Sequence, residues 1–246
     1  MKSTRPLKRP GFTLVELLVV IVIIATLAAL SLTIGPKMMA KAKATEAMNN
    51  IRQIGPMLHG YAADHAGRFP AASAKVAQAD GSLLDQQWNE AVLANQNPGV
   101  DPTEFKTRNW WDKNKSPLRN PMFKESARPR GWAPLNPGFA LNAMIAQNVM
   151  ANQSPPEGGD PLEYAVPVTM IPAQERTPLI APYDHWVYRY DGVELMSANR
   201  GTLKDLLIEG KAIVLFVDGH LENITPKEYT QRRLTQFPEV TNAGGF

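Results

Sequence analysis

The pattern of apolar and polar positions changes character twice along this chain. From Phe12 to Ile34 every position is apolar except Thr13, Glu16, Thr26, Ser31 and Thr33. As a helix, that run extends about 35 Å, enough to cross a bilayer core of about 30 Å. Beyond Gly35-Pro36 the pattern becomes periodic. Ala47, Ile51, Ile54, Leu58, Tyr61, Ala62 and His65 recur every three or four positions, which predicts a helix with one apolar stripe and one polar face. Proline removes a backbone donor and bends a helix without always ending it. The expectation is therefore one long helix from about residue 12 to 66. It bends at Gly35-Pro36 and Gly55-Pro56 and stops at Gly67-Arg68-Phe69-Pro70.

After residue 70 the signals shorten. Residues 71–82 are small and polar and read as a loop. "SLLDQQWNEAVLAN" reads as a short helix, with Ser82 as cap, Asp85 at capping-box spacing, and Leu84, Trp88 and Val92 as its stripe. Residues 96–138 are irregular, "GFALNAMIAQNVM" is a second helical candidate, and "NQSPPEGGDP" is a surface loop. "YAVPVTMI" and "HWVYRY" are strand candidates. "AIVLFVDGHLENI" reads as a hairpin in which Ile213 to Val217 form a buried strand and Asp218-Gly219 a two-residue turn of positive φ. Thr225, Pro226 and Glu228 then supply a helix start. No internal repeat interrupts this order. The fold class expected is α+β: a long N-terminal helix, a short irregular helical region and a small antiparallel sheet.

Composition narrows the class. The chain has 246 residues and no cysteine, which excludes both disulfides and thiolate metal sites. The formal charge of +3 is unevenly held. Lys2, Arg5, Lys8 and Arg9 precede Phe12 without an acid among them, leaving 22 basic against 23 acidic residues beyond. The basic balance of the whole is thus a property of its first eleven residues, and it gives little support to a nucleic-acid partner.

Glu16 is the anomaly within the apolar run, because a carboxylate in a membrane span costs at least a few kcal/mol. A cleaved secretory signal explains the basic leader, but its apolar core is normally shorter and "TLAALS" is a loose cleavage site. A plain signal anchor explains the length and leaves Glu16 unexplained. Gly11-Phe12-Thr13-Leu14-Val15-Glu16, after a basic leader and before a long apolar helix, resembles the type IV prepilin and pseudopilin signature. The resemblance implies a pilin-like α+β fold and cleavage between Gly11 and Phe12 by a prepilin peptidase on the cytoplasmic side. It further implies an N-methylated Phe12 as the mature terminus. Glu16 then meets the terminal amine of a neighbouring subunit in a helical filament, since a buried carboxylate persists when paired. Four segments follow: leader 1–11, transmembrane and filament-core helix 12–34, its continuation 35–70, and a periplasmic α+β domain 71–246. Lys37, Lys41 and Lys43 flank the far end of the span, so charge alone orients it only weakly, leader inside.

Two further stretches carry resemblances. "YAADHAGRFP", through Tyr61, Asp64, Gly67, Phe69 and Pro70, is similar to the end of the long helix in major pseudopilins. "LFVDGHL" resembles a strand–turn–strand element of large prepilin-like families. Those families often hold a histidine ten positions before the turn aspartate, where this chain has Ile208.

Candidate chemistry elsewhere is sparse. Asp64-His65, Asp184-His185 and Asp218…His220 place carboxylates near imidazoles but match no short metal motif, and no dense Asp/Asn cluster for calcium follows residue 191. No nucleophile elbow or phosphate loop occurs. Segment 105–132 interleaves Lys106, Arg108, Lys113, Lys115, Arg119, Lys124, Arg128 and Arg130 with Phe105, Trp110, Trp111, Phe123 and Trp132. Such a mixture can grip single-stranded nucleic acid; packing anchors with a basic, subunit-facing surface are the expectation instead. The function expected is structural, without catalytic residues, metal or cofactor. The chain is expected to be a pseudopilin-like subunit of a type II secretion-like or type IV pilus-like filament. Its partners are the peptidase, copies of itself and other pseudopilins, the inner membrane and an assembly platform. A true type IV pilin for adhesion, motility or DNA uptake is the alternative within the class. A signal-anchored periplasmic binding or catalytic domain is the alternative outside it.

Overall fold

The structure is a computed structural model that describes residues 12–77, 80–114, 116–123, 138–142, 145, 167–171, 173–183, 187–188, 206–225 and 227–228. Contacts divide the chain into two compact units, one up to Ala42 and one from Lys43 onward. Helix α1, Leu14–Asp64, runs without interruption through both Gly-Pro pairs.

In the first unit the large apolar side chains from Phe12 to Ile34 are exposed, and this helix is long and apolar enough to cross a membrane. Nothing within the chain covers that surface among the described residues.

In the second unit, the predicted stripe of α1 is the spine of the main core. Ala47, Ile51, Ile54, Leu58, Tyr61 and Ala62 are all buried, and His65 is half-buried. Gly55 lies on the same face, where a Cβ would stand 3.4 Å from the Leu215 side chain. The helix ends as its punctuation predicts. Gly67 takes φ +72°, and its N–H donates to the Ala62 carbonyl at 2.8 Å, a wrap that satisfies an otherwise orphaned carbonyl.

A five-stranded sheet has the order β5-β3-β4-β6-β7, from β3 Phe139–Asn142, β4 Pro178–Pro182, β5 Val187–Tyr188, β6 Ala212–Phe216 and β7 Leu221–Ile224. It is antiparallel apart from the β3–β5 pair. Period-2 alternation sends Ile213, Leu215 and Val217 into the core that holds α1, and Ala212, Val214 and Phe216 into a second cluster with Ala140, Ala181 and Ile224. Burial on both faces explains why β6 reads as an unbroken apolar run. A register shift between Pro178 and Ile180 accompanies the placement of both Leu179 and Ile180 in the main core.

Several sequence expectations require correction. Residues 71–82 are not simply a loop, because β1 Ser73–Ala77 pairs antiparallel with β2 Leu83–Gln87. Ser82 is therefore not a helix cap. It donates its N–H and hydroxyl to Asp80 in the hairpin turn, at 2.9 and 2.6 Å. Helix α2 begins five residues later than its first apolar residue suggests, at Trp88–Gln96, and Glu90 rather than Asp85 accepts the N-cap amide, from Gln87 at 3.0 Å. The competing principle is strand pairing, which overrides local helical spacing once a partner strand is present. "GFALN" is strand β3 for the same reason, its four residues buried between β4 and β5. "PVTM" is a 3₁₀ turn, Val168–Met170, after Pro167.

The β6–β7 hairpin is present, but its connection is three residues long. Phe216 N–H donates to His220 O, Gly219 N–H donates to Phe216 O, and only Gly219 takes positive φ there, +92°. The capping box at Thr225 and Glu228 forms as expected, with Glu228 Oε2 accepting from the Thr225 amide and hydroxyl at 2.9 and 2.8 Å.

Segment 105–132 contributes anchors to the core. Phe105 and Trp111 are buried, and Trp111 Nε1 donates to the Phe105 carbonyl at 2.6 Å. They are carried on a 3₁₀ helix, Pro102–Lys106, and on α3, Arg108–Asn114. Lys106 reaches back to Glu90 at 2.8 Å and to the Asp85 carbonyl, tying this segment to β2 and α2. Glu90 is only 3% exposed, so losing its cation leaves a buried carboxylate uncompensated. Lys106→Ala is expected to lower stability by about 2–3 kcal/mol. Denaturant unfolding of the detergent-solubilised full chain, followed by tryptophan fluorescence, measures it; an unchanged midpoint refutes the role.

Candidate functional site

The one acid in the apolar run sits in the first turn of α1, and the local sequence holds it there. Thr13-x-x-Glu16 has capping-box spacing, and the structure forms that box. Glu16 Oε2 accepts from the Thr13 amide at 2.8 Å and from the Thr13 hydroxyl at 2.8 Å. The Thr13 hydroxyl in turn accepts from the Glu16 amide at 3.3 Å. Two of the orphan donors of the helix start are satisfied, and the carboxylate lies where the helix dipole favours an anion. Phe12, directly before the box, is 78% exposed. Gly11 and the basic leader lie outside the described residues.

The arrangement gives Glu16 an internal set of donors, so it is not a bare charge on the helix. It also leaves the acid exposed and replaceable in its partners. Thr13 is the capping residue that sequence reasoning passed over. Its signal was available: Thr-x-x-Glu immediately before an apolar run is a capping box by spacing alone.

The histidine pairs are differently arranged. Asp64 accepts from Asn95 at 3.0 Å, while His65 stacks on Tyr61 and hydrogen-bonds the Tyr61 carbonyl at 2.8 Å. These contacts seal the end of α1. Asp184 and His185 lie outside the described residues. His220 is held on the β6–β7 hairpin between two carboxylates, Asp218 at 2.6 Å from Nδ1 and Glu222 at 3.2 Å from Nε2, and it stacks on Phe216 with centroids 4.3 Å apart. Each ring nitrogen faces an acceptor, so the imidazolium form alone donates to both. Among the described residues no group of three or more His, Asp or Glu could hold a metal ion. Of the basic residues in segment 105–132, Lys106 is paired with Glu90 and Lys113 is exposed; Lys115, Lys124, Arg128, Arg130 and Trp132 lie outside the described residues.

Residues 7–32 match the family described as the prokaryotic N-terminal methylation motif, the prepilin-type cleavage and methylation signature of type IV pilins and pseudopilins. No curated protein and no solved structure matches the chain. The motif, the long apolar helix among the described residues and the α+β layout fit a pilin-like chain of the kind processed at its N-terminus and anchored in a membrane by one span. The motif is one found in structural, pilin-like proteins.

Two expectations follow from this geometry. Thr13→Val removes the cap hydroxyl and is expected to weaken the helix start by about 1 kcal/mol, whereas Thr13→Ser retains it. Amide hydrogen exchange over Leu14–Leu17 should quicken in the valine variant alone. For His220, burial pulls the imidazole pKa down, but hydrogen bonds and charge from Asp218 and Glu222 outweigh it and raise the pKa above the ordinary 6.5. The stabilisation is therefore complete below the ordinary value and is lost as pH rises through the raised one. An NMR titration of His220 should show a raised midpoint that falls in Asp218→Asn; a midpoint at or below the ordinary value contradicts the assignment.

Proposed function

We propose that this protein is a pseudopilin-type subunit of a type II secretion-like filament. It is inserted with its leader cytoplasmic and its C-terminal domain periplasmic. Prepilin peptidase cuts between Gly11 and Phe12, and Phe12 is N-methylated. The observation that carries the reading is the methylation motif at residues 7–32, with Glu16 in the first turn of the apolar helix. The pseudopilin assignment draws on the resemblance of Tyr61, Asp64, Gly67, Phe69 and Pro70 to the major-pseudopilin helix end. The absence of cysteine accords with a fold that closes no C-terminal disulfide loop.

The physical logic joins the two ends of the motif. Cleavage creates an α-amino cation at Phe12, and methylation of that amine leaves it cationic. On membrane insertion Glu16 keeps its cap from Thr13. In the filament it exchanges that cap for the terminal amine of a neighbouring subunit, where opposite charges in an apolar bundle attract strongly and fix register. The exposed apolar face of Phe12–Ile34 is covered first by lipid and then by equivalent helices. Copies of the chain, other pseudopilins and the assembly platform at the inner membrane are the partners; no cofactor takes part.

Mass spectrometry of the protein recovered from cells is expected to give N-methyl-Phe12 as the first residue. An intact Met1, or a cut near residue 30, overturns the proposal. Glu16→Val is expected to insert in the membrane normally and to assemble no filament, scored by membrane fractionation and by electron microscopy of sheared material. Normal filaments from that variant would remove Glu16 from the mechanism.

A further inference from the structure

The β6–β7 hairpin is held unevenly along its length. At its open end Ile224 is buried in the second cluster and pairs with Ala212. Toward its tip Leu221 and Glu222 are only half-buried and Asn223 is exposed, so apolar burial holds that half of β7 weakly. β7 is also the last strand in the sheet order, next to β6. A side-chain bridge joins the tip to the strand. The His220 ring lies flat on Phe216, with centroids 4.3 Å apart and planes 8° from parallel. Its Nδ1 lies 2.6 Å from Asp218 Oδ1, on the connection, and its Nε2 lies 3.2 Å from Glu222 Oε1, on β7. The same Asp218 oxygen accepts the His220 backbone N–H at 3.1 Å. Among the described residues the charged groups facing the ring are these two carboxylates, and β6 presents the uncharged Phe216.

A ring in this position serves both carboxylates in one protonation state only. The imidazolium donates from both nitrogens; the neutral ring keeps one proton and turns a lone pair toward the other acceptor. The shorter contact is with Asp218, whose carboxylate the backbone also holds, so the remaining proton stays on Nδ1. Nε2 then sets a lone pair against Glu222 Oε1, and an attractive contact becomes a repulsive one. The His220 and Glu222 side chains are 36% and 33% exposed, so the proton exchanges with water without the hairpin having to open first.

We propose that His220 is a proton-operated latch on the β6–β7 hairpin. Protonated, it bridges Asp218 to Glu222 and closes the tip half of β7 onto β6; neutral, it keeps Asp218 and releases Glu222. The direction follows from linkage. The closed hairpin favours the ring proton, so the latch stabilises it fully below the ordinary imidazole value. That stabilisation is lost as pH rises through the raised midpoint of the closed state. The latch therefore tightens in acid and loosens the end strand of the sheet in alkali. With the C-terminal domain periplasmic, as proposed above, it answers to the acidity of that compartment; the hairpin's own response to pH is independent of that placement.

Amide hydrogen exchange of the full-length chain in detergent micelles, corrected for the intrinsic rate at each pH, reads the latch at Leu221–Asn223. Between pH values well below and well above the NMR midpoint of His220, wild-type protection is expected to fall. The fall should be about tenfold for each pH unit by which that midpoint exceeds the ordinary imidazole value. His220→Phe keeps the stack without the donors and is expected to show the alkaline wild-type level at every pH. Glu222→Gln is expected to hold the acid level throughout, because its amide can donate to the Nε2 lone pair or accept from Nε2–H. In the wild type, imidazole ¹⁵N shifts should place the remaining proton on Nδ1 above the midpoint. Equal wild-type protection at both extremes of pH overturns the proposal. So does a pH-dependent loss that persists in either variant. A neutral ring protonated at Nε2 overturns it as well, a result that requires no variant to fold.

Discussion

The constraint on which this molecule depends is that the apolar surface of Phe12–Ile34 finds no cover among the described residues. Its large side chains are exposed from Phe12 to Ile34. Apolar surface left in water costs about 25 cal/mol per Å², and an exposed patch of this extent marks an interaction surface rather than tolerated exposure. The cover has to come from lipid or from other helices. A chain built this way is incomplete alone, and the remainder of the structure is organised around keeping that helix continuous and attached to a folded unit.

Attachment is achieved by using one helix for two environments. Below residue 35 α1 is apolar all round, as a span requires; from Ala47 to Ala62 only one stripe is apolar, and it is buried against β6. Gly55 lies at this contact, facing the Leu215 side chain. The main core therefore includes part of the same helix whose other part lies outside any core. The only acid before Glu46 is placed at the extreme end of the helix, where free backbone donors can hold it. A carboxylate in mid-span would have had only lipid around it.

The elements legible in the sequence are those whose information is local. Uniform hydropathy marks the span, three- and four-residue spacing marks the buried stripe of α1, and Gly67 marks its end. The hairpin of β6 and β7 was visible because an apolar run, an Asp-Gly pair and a second run lie within thirteen residues. The failures share another cause. β1, β2 and β3 are short segments whose state depends on a partner strand: β1 and β2 on each other across a turn, and β3 on β4 and β5 further along the chain. "SLLDQQWNEAVLAN" contains a strand and a helix, and the change at Gln87 follows from the pairing of Ser73 with that residue. Thr13 was legible by spacing, as Thr-x-x-Glu before an apolar run.

By itself the sequence determined the class: a basic leader, a cleavage-like Gly-Phe junction, an apolar helix with an acid in its first turn, and an α+β remainder. These are properties of contiguous residues, and short-range physics suffices to read them. Only the tertiary structure decided that Lys106 neutralises Glu90, that His220 stands between Asp218 and Glu222, and in what order five strands assemble. Each of these sets the position of a charge or a backbone donor relative to its neighbours in three dimensions. Burial and hydrogen bonding then fix which neighbour it meets, and a one-dimensional pattern leaves that choice open.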